Sequence, residues 1–124
     1  MAEHNDLGLL GEQRARIFLE EKAYIIRATN YRSGKFEIDI IAEKDGWLVI
    51  VEVRTRSTDT FLAPEESIGI QKIRNLVRAA NAYIRRFNWM GETRFDVISV
   101  IAQGNDYKIQ HIENAFVPPL NFRY

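Results

Sequence analysis

The dipeptide Asp45-Gly46 constrains this chain most, because it separates two runs rich in β-branched and aliphatic residues. Asp-Gly favours the two-residue turn of a β-hairpin, in which both central residues need positive φ. The pattern therefore predicts a hairpin with strands over Phe36–Lys44 and Trp47–Thr55. A two-residue turn also sets the register, since Lys44 must then face Trp47.

That register places Asp39 directly opposite Glu52, and Glu37 opposite Arg54. Opposed side chains share one face of a sheet, with Cβ atoms about 4.5–5.5 Å apart. One patch of the hairpin, at the end away from the turn, is therefore expected to hold three carboxylates and one guanidinium. The other face is expected to face a core, lined by Ile38, Ile40 and Ala42 and by Val49, Val51 and Val53.

The carboxylates of Asp39 and Glu52 repel each other across the hairpin, which costs stability unless something neutralises them. A divalent cation between them is one solution, and Mg²⁺ suits a site with one or two carboxylates, several waters and phosphate oxygens. An ion-pair ladder, in which Arg54 pairs with Glu37 or Glu52, is the other solution. From the hairpin geometry both interpretations stay open.

The other segments alternate helical and extended patterns, with no repeat, low-complexity tract or linker. Helices are predicted over Leu7–Lys22, with Asp6 as N-cap, and over Glu65–Phe87, where apolar residues recur at three- and four-residue spacings. Further strands are predicted over Tyr24–Tyr31, Arg94–Ala102 and Tyr107–Ile112. The order α-β-β-β-α-β-β predicts one α/β domain over residues 1–124, with an irregular tail from about residue 114.

The net charge of zero argues against a polycation that coats DNA. The charge is uneven, however: residues 1–53 hold seven Lys/Arg and ten Asp/Glu, and residues 54–94 hold eight and four. An acidic segment beside a basic one suits a cation site next to a phosphate-binding surface, and it also suits an ordinary protein of uneven charge.

Several kinds of site and location are excluded by what the sequence lacks. Without cysteine there is no disulfide or thiolate metal site, and His4 and His111 have no spacing that suits a zinc site, so we expect both to be incidental. No apolar run is long enough to span a bilayer, and the polar start shows no secretory signal. We therefore expect a cytoplasmic protein without a membrane partner.

Asp39 and Glu52-Val53-Arg54 resemble the D…(D/E)-x-K signature of the PD-(D/E)xK nuclease superfamily. The wider pattern resembles more closely the YraN-like uncharacterised family, described as endonuclease-like and related to Holliday junction resolvases. Five blocks within about residues 8–113 carry this resemblance: Gly11-Glu12 with Ala15, Glu37 to Ile41, Val51 to Arg56, Lys72 and Arg74 with Ala79 and Tyr83, and Arg94 to Val97.

The resemblance implies a restriction-endonuclease-like fold, with a mixed sheet flanked by helices. It also implies hydrolysis of DNA by water with Mg²⁺ or Mn²⁺, on branched, damaged or single-stranded substrates in repair or recombination. Asp39 and Glu52 would be the metal carboxylates. Glu12 would approach from the first helix as a third acidic ligand or a water-holding group, and the carbonyl of Val53 is a further candidate ligand.

Position 54 departs from the superfamily pattern, which has lysine there. Arg is planar, stays protonated and tends to bind carboxylates bidentately, so Arg54 is not equivalent to that lysine. Lys35 or Lys72 is a candidate to supply the ammonium. The alternative function is a nucleic-acid-binding accessory module that keeps the fold and has lost turnover; a weaker one is a protein-interaction scaffold whose acidic hairpin is an ion-pair network.

Six basic residues are candidate DNA contacts. Three lie near the charged end of the hairpin, and three lie on the long helix, where a basic stripe can follow a phosphate backbone. A solvated helix face has the same pattern. The candidates are Arg32, Lys35, Arg56, Lys72, Arg74 and Arg78. The expected partner is DNA, and a homodimer is compatible with the sequence but not indicated by it.

Two acidic residues have simpler interpretations. Glu12 stands four residues before Arg16, so a surface ion pair is an alternative to its role at a metal. Asp96, which opens a strand after Arg94-Phe95, is expected to be a structural ion pair or cap.

Overall fold

The computed structural model describes residues 2–57 and 68–117. Within them the five strands form one sheet in the order β1-β2-β3-β4-β5. β3 and β4 are parallel and the other neighbours are antiparallel, so the sheet is mixed. The predicted α/β class and element order are confirmed. The elements are α1 (Ala2–Glu21), β1 (Ile25–Ser33), β2 (Phe36–Lys44), β3 (Trp47–Ser57), α2 (Ile70–Phe87), β4 (Glu92–Gln103) and β5 (Asp106–Phe116).

The two helices pack against separate core clusters of the sheet. Leu48 and Ile50 of β3 belong to the cluster with α2, whereas Val49 and Val51 belong to the cluster with α1. Because side chains alternate along a strand, the helices cover opposite faces. β3 is buried on both sides, as expected for a strand joined to a parallel neighbour through a helix.

The predicted hairpin forms with the predicted register. Lys44 pairs with Trp47 and Ile40 with Val51, and Asp45 and Gly46 have φ values of 53° and 84°. The β2–β3 ladder ends at Ile40 and Val51.

Past the end of this ladder the Asp39 side chain takes the place of the backbone acceptor, since the Val53 N–H donates to its Oδ2 at 2.9 Å. Glu37 pairs instead with Arg32 of β1. The predicted cross-strand pair of Glu37 with Arg54 is therefore wrong.

The predicted face of Ile38 is also wrong. Ile38 packs in the α2 cluster, whereas Ile40 and Ala42 pack in the α1 cluster. The reason lies at Asn30 of β1, whose φ of 49° is in the left-handed region. Asn30 lies beside Asp39 of β2, between the pairs Thr29–Ile40 and Tyr31–Ile38. The regular alternation of side chains between the two faces of the sheet is interrupted at this point.

Several element ends differ from their predicted positions. α1 already begins at Ala2, so Asp6 lies inside the helix and is not its N-cap. α2 begins at Ile70 after an extended Gly69, and Glu65 lies outside the described residues. β5 continues to Phe116, because an irregularity in its pairing restores contact with β4 beyond residue 114.

Neither helix in the described ranges is both long and apolar enough to cross a lipid bilayer.

A buried ion-pair network joins the first part of β4 to the last part of β5. The Asp96 side chain is 0% exposed and lies 3.0 Å from Nε of Arg94 and 2.7 Å from Nε2 of His111. The backbone N–H of Asn114 donates to the same carboxylate at 2.9 Å. The prediction of a structural ion pair at Asp96 is confirmed, and the prediction that His111 is incidental is wrong.

Burial of Asp96 on its own would raise the pKa of that carboxyl. The hydrogen bonds from His111, Arg94 and Asn114 outweigh burial and hold the pKa below its ordinary value. Asp96 is therefore a charged carboxylate inside the protein.

Candidate active site

The structure brings Asp39 and Glu52 together where β2 and β3 separate. Asp39 is anchored by the Val53 N–H, and its charge interacts with that of Glu52. The Glu52 side chain is 8% exposed, and its Oε2 lies 3.6 Å from Nζ of Lys72. The other oxygen, Oε1, is buried without a hydrogen-bond partner among the described residues. Such a buried acceptor is costly unless a ligand, or a proton shared with Asp39, satisfies it.

Both carboxylates of this pair resist ionisation. Burial, and then the charge of Glu52, raise the pKa of Asp39 to about 7, although Val53 and Lys72 act in the opposite direction. Burial also raises the pKa of Glu52, despite the opposing charges of Lys72 and Arg54. A cation between the two groups would favour the ionised form of both. The pair is therefore suited to bind positive charge.

Glu12 lies on α1 at a point where this helix approaches the sheet closely. A Cβ atom at Gly11 would collide with the Thr55 side chain, so glycine is needed at this contact. The Glu12 charge contributes to the raised pKa of Asp39. Its Oε1 accepts a hydrogen bond from Nδ2 of Asn30 at 3.0 Å. Arg16, the alternative partner of Glu12 in the sequence analysis, pairs with Glu20 at 3.4 Å. The described contact of Glu12 is with Asn30 of β1.

Lys72, one of the two lysines that the sequence analysis named as candidates, provides an ammonium group next to Glu52. It lies on the first turn of α2 and contacts Glu52. Arg54 lies in the field of both carboxylates as well: burial and Arg56 lower its pKa, whereas Glu52 and Asp39 act against them. The site therefore has a lysine, but the lysine comes from α2 and not from β3.

The other basic candidates divide into two groups. Lys35 and Lys72 line one pocket beside the carboxylate pair, and Arg32 lies 3.8 Å from Glu37. Arg74 and Arg78 are exposed along α2, and Arg56 is partly buried on β3. Of these candidates, Lys72 is the one for which a contact with the carboxylate pair is described.

The donor set fits a hard cation that keeps several waters. In residues 2–57 and 68–117, no three acidic, His or Cys side chains converge closely enough to hold a metal ion, so Asp39 and Glu52 are the two carboxylates on offer. Mg²⁺ and Mn²⁺ prefer oxygen ligands, and Mg²⁺ is commonly held by one or two carboxylates. The unsatisfied Oε1 of Glu52 supports the fit. A ligand role for the Val53 carbonyl stays a prediction.

Asn30 is the site residue that the sequence analysis missed. It fastens Glu12 and has the left-handed backbone that breaks the β1–β2 alternation. Asn adopts this conformation more readily than most residues. An Asn at position 30, inside a predicted strand, was therefore the sequence feature that could have indicated an interruption of the strand. A pocket of about 190 Å³ opens here between α1 and β1, lined by Leu9, Glu12, Gln13, Arg16, Thr29, Asn30 and Ile40.

We expect Asp39→Asn to stabilise the metal-free protein at pH 8. Because the folded-state pKa of Asp39 is raised to about 7 from 3.8, the folded state binds a proton more tightly than the unfolded state. The free energy of unfolding therefore falls as pH rises between about 4 and 7. Removing this group should gain about 1–3 kcal/mol at pH 8 and little at pH 4.

Urea denaturation with a chelator at both pH values measures this difference. Asp106→Asn, at the exposed first residue of β5, is the matched control and should change the stability little at either pH. An equal effect of Asp39→Asn at pH 4 and pH 8 would contradict the raised pKa.

Comparison with known proteins identifies the family. The model of the uncharacterised protein family UPF0102 matches residues 11–100. The UPF0102 protein of Bacteroides thetaiotaomicron is 51% identical over 120 residues, covering 97% of this chain and 99% of that protein. That of Flavobacterium psychrophilum is 47% identical over 116 residues, covering 94% and 98%. That of Porphyromonas gingivalis is 44% identical over 118 residues, covering 94% and 87%.

These relatives align with nearly the whole chain, and their names state no activity. The resemblance predicted from the five sequence blocks is confirmed at the level of the family. The chain belongs to the uncharacterised protein family UPF0102, the YraN-like family.

Proposed function

We propose that the protein is a nuclease that hydrolyses phosphodiester bonds of DNA with a divalent metal ion. The observation that carries the proposal is the pair Asp39–Glu52. Two largely buried carboxylates meet at the end of a ladder, one of their oxygens has no hydrogen-bond partner among the described residues, and a lysine ammonium lies 3.6 Å away. Acidic groups that disfavour their own ionisation beside a cation are typical of functional sites.

Asp39 and Glu52 are the residues that would hold Mg²⁺ or Mn²⁺, and Glu12, whose charge acts on Asp39, would hold a water beside them. When bound, such an ion polarises a phosphoryl oxygen and makes a water more acidic. The protein contributes the fixed orientation of Asp39, through the Val53 N–H. It also contributes the position of Glu12, through Asn30.

Lys72 and Arg54 supply the positive charge that phosphoryl transfer needs. Lys72 lies on a flexible stem beside Glu52, where its ammonium can hold a phosphate oxygen or the attacking water. Arg54 stays protonated and stabilises negative charge on the phosphate. Position 54 holds Arg where the superfamily pattern has lysine. In this proposal Lys72 of α2 supplies the ammonium group that this lysine would provide.

The accessory module remains the second candidate, and Arg54 in place of the expected lysine is the feature that favours it. Lys72 beside Glu52 counts against it. DNA is the proposed partner, with Arg74 and Arg78 as exposed contacts for its backbone. The proposal includes repair or recombination as the setting and the cytoplasm as the compartment.

The test is cleavage of end-labelled single-stranded, duplex, flap and four-way-junction DNA with Mg²⁺ or Mn²⁺. We expect cutting by the native chain that requires the metal and disappears in Asp39→Asn, which keeps the size of the side chain. Asp106→Asn is the control for a change from Asp to Asn elsewhere and should cut like the native chain.

Two other results would refute the proposal of a nuclease at the Asp39–Glu52 pair. Cutting that survives in Asp39→Asn would assign the activity to another site or a contaminant. DNA binding without cutting by the native chain would establish the accessory module, and Arg54→Lys would then test whether position 54 is the lesion.

A further inference from the structure

A pocket of about 240 Å³ lies between the start of β2 and the first turns of α2. Lys72 forms part of its wall and also contacts Glu52, so the pocket and the candidate active site share a side chain. Its lining consists of Lys35, Phe36, Glu37, Lys72, Asn75 and Leu76.

The charge of this pocket favours an anion. Lys35 and Lys72 contribute two ammonium groups. Among the described residues that line the pocket, Glu37 is the one carboxylate, and it lies 3.8 Å from the guanidinium of Arg32. An anionic group held by Lys72 would therefore lie next to the Asp39–Glu52 pair, which is where a phosphodiester must be placed for hydrolysis.

The pocket also offers an aromatic surface and an oriented amide. Phe36 is partly buried and packs against the α2 core cluster, which fixes its position. Nζ of Lys35 lies 5.9 Å from the centroid of its ring. Asn75 accepts a hydrogen bond from Gln71 at 3.1 Å through Oδ1, which orients its side-chain amide. An aromatic ring suits stacking of a base, and an amide suits hydrogen bonding to a base edge.

We propose that this pocket binds one unpaired nucleotide of a single-stranded nucleic acid, with its base against Phe36 and its phosphate between Lys35 and Lys72. The inference rests on the proposed nuclease function and names its substrate class. The volume of about 240 Å³ is just below the roughly 300–1,000 Å³ of sites for drug-sized ligands, so the open pocket has room for one nucleotide at most. Bases inside a duplex are stacked and paired and cannot enter such a pocket without being extruded. The substrate is therefore a single-stranded tail, flap or gap.

The binding experiment uses the full native chain with a chelator, so that no cutting occurs. Fluorescence anisotropy compares a labelled single strand, the same sequence as a duplex, and the single strand as RNA. We expect the single strand to bind at least about tenfold more tightly than the duplex. A 2-aminopurine base in the strand should change its fluorescence on binding, because the base leaves its neighbours.

Phe36→Leu should weaken single-strand binding by about 5- to 100-fold, from the loss of one stacked base, and should leave duplex binding unchanged. Phe36→Tyr keeps the ring and should bind like the native chain, which separates stacking from a folding defect. Phe87→Leu, a partly exposed aromatic at the far end of α2, is the matched control. The DNA and RNA arms distinguish the two sources of an unpaired nucleotide.

Equal affinity for the single strand and the duplex would overturn the inference, and so would unchanged single-strand binding in Phe36→Leu. Neither result touches the cleavage assay, which tests hydrolysis with its own variant, Asp39→Asn. Conversely, single-strand binding that depends on Phe36 in a protein that never cuts would uphold the pocket and refute the nuclease.

Discussion

Lys72→Met is expected to lower the rate of metal-dependent DNA cleavage by roughly 10²–10³-fold. The ammonium lies 3.6 Å from Glu52, where it can stabilise charge that develops on the phosphate, and removing one such donor typically has an effect of this size. Methionine keeps an unbranched side chain and removes the charge. Single-turnover rates at saturating DNA measure the chemical step separately from binding.

The pH dependence of the same variant provides a second readout. The charge of Lys72 is the largest influence that lowers the pKa of Glu52. Without it, Glu52 of the metal-free protein should ionise at higher pH, so at subsaturating Mg²⁺ the rising limb of the pH–rate profile should move to higher pH. This shift reports the charge of Lys72 at Glu52, whereas the single-turnover rate at saturating metal and DNA reports its effect on the chemical step.

Arg74→Met is the matched control, because Arg74 is an exposed cation two residues further along α2. It should weaken DNA binding modestly and leave the single-turnover rate at saturation unchanged. A normal rate in Lys72→Met, with a large loss in Arg54→Met, would show that position 54 carries the role that we assign to Lys72.

The part of the site that could be predicted depends on local chemistry. Asp45-Gly46 selects a two-residue turn, which sets the β2–β3 register from Lys44–Trp47 to Ile40–Val51. Asp39 and Glu52 come directly after the last pair of this ladder, so no distant contact was needed to predict that they lie near each other. The family resemblance then named Glu12 as a candidate third acidic residue. Here the pattern of residues and the three-dimensional arrangement agree because the determining interactions lie close together in sequence.

The remaining features depend on packing between distant segments. Lys72 could be named as a candidate but not placed, because its position follows from how α2 packs on the sheet. The face of Ile38 was predicted wrongly because the period of two fails where Asn30 takes a left-handed conformation. His111 has no partner nearby in sequence, and β5 brings it to Asp96 across fifteen residues.

Asp96→Asn is expected to lower the free energy of unfolding by about 3–5 kcal/mol near pH 7. The side chain is fully buried, and it neutralises Arg94, whose own side chain is 16% exposed. Breaking a buried ion pair from one side leaves the other charge uncompensated, which is strongly destabilising. Asparagine keeps the shape but not the charge, so the loss reports the ion pair more than the packing. Urea denaturation, with midpoint and slope both fitted, measures the change.

The sign of the pH dependence should be opposite to that of Asp39→Asn. The folded-state pKa of Asp96 lies below its ordinary value, so its contribution to stability is present above the unfolded-state pKa. That contribution is lost as pH falls through the folded-state pKa. The deficit of Asp96→Asn should therefore be largest near neutral pH and shrink in acid. Glu113→Gln is the control: Glu113 lies 3.8 Å from the same Arg94 but is 62% exposed, so its loss should be within about 1 kcal/mol. Equal effects of the two variants would mean that Asp96 is not the buried charge on which this end of the sheet depends.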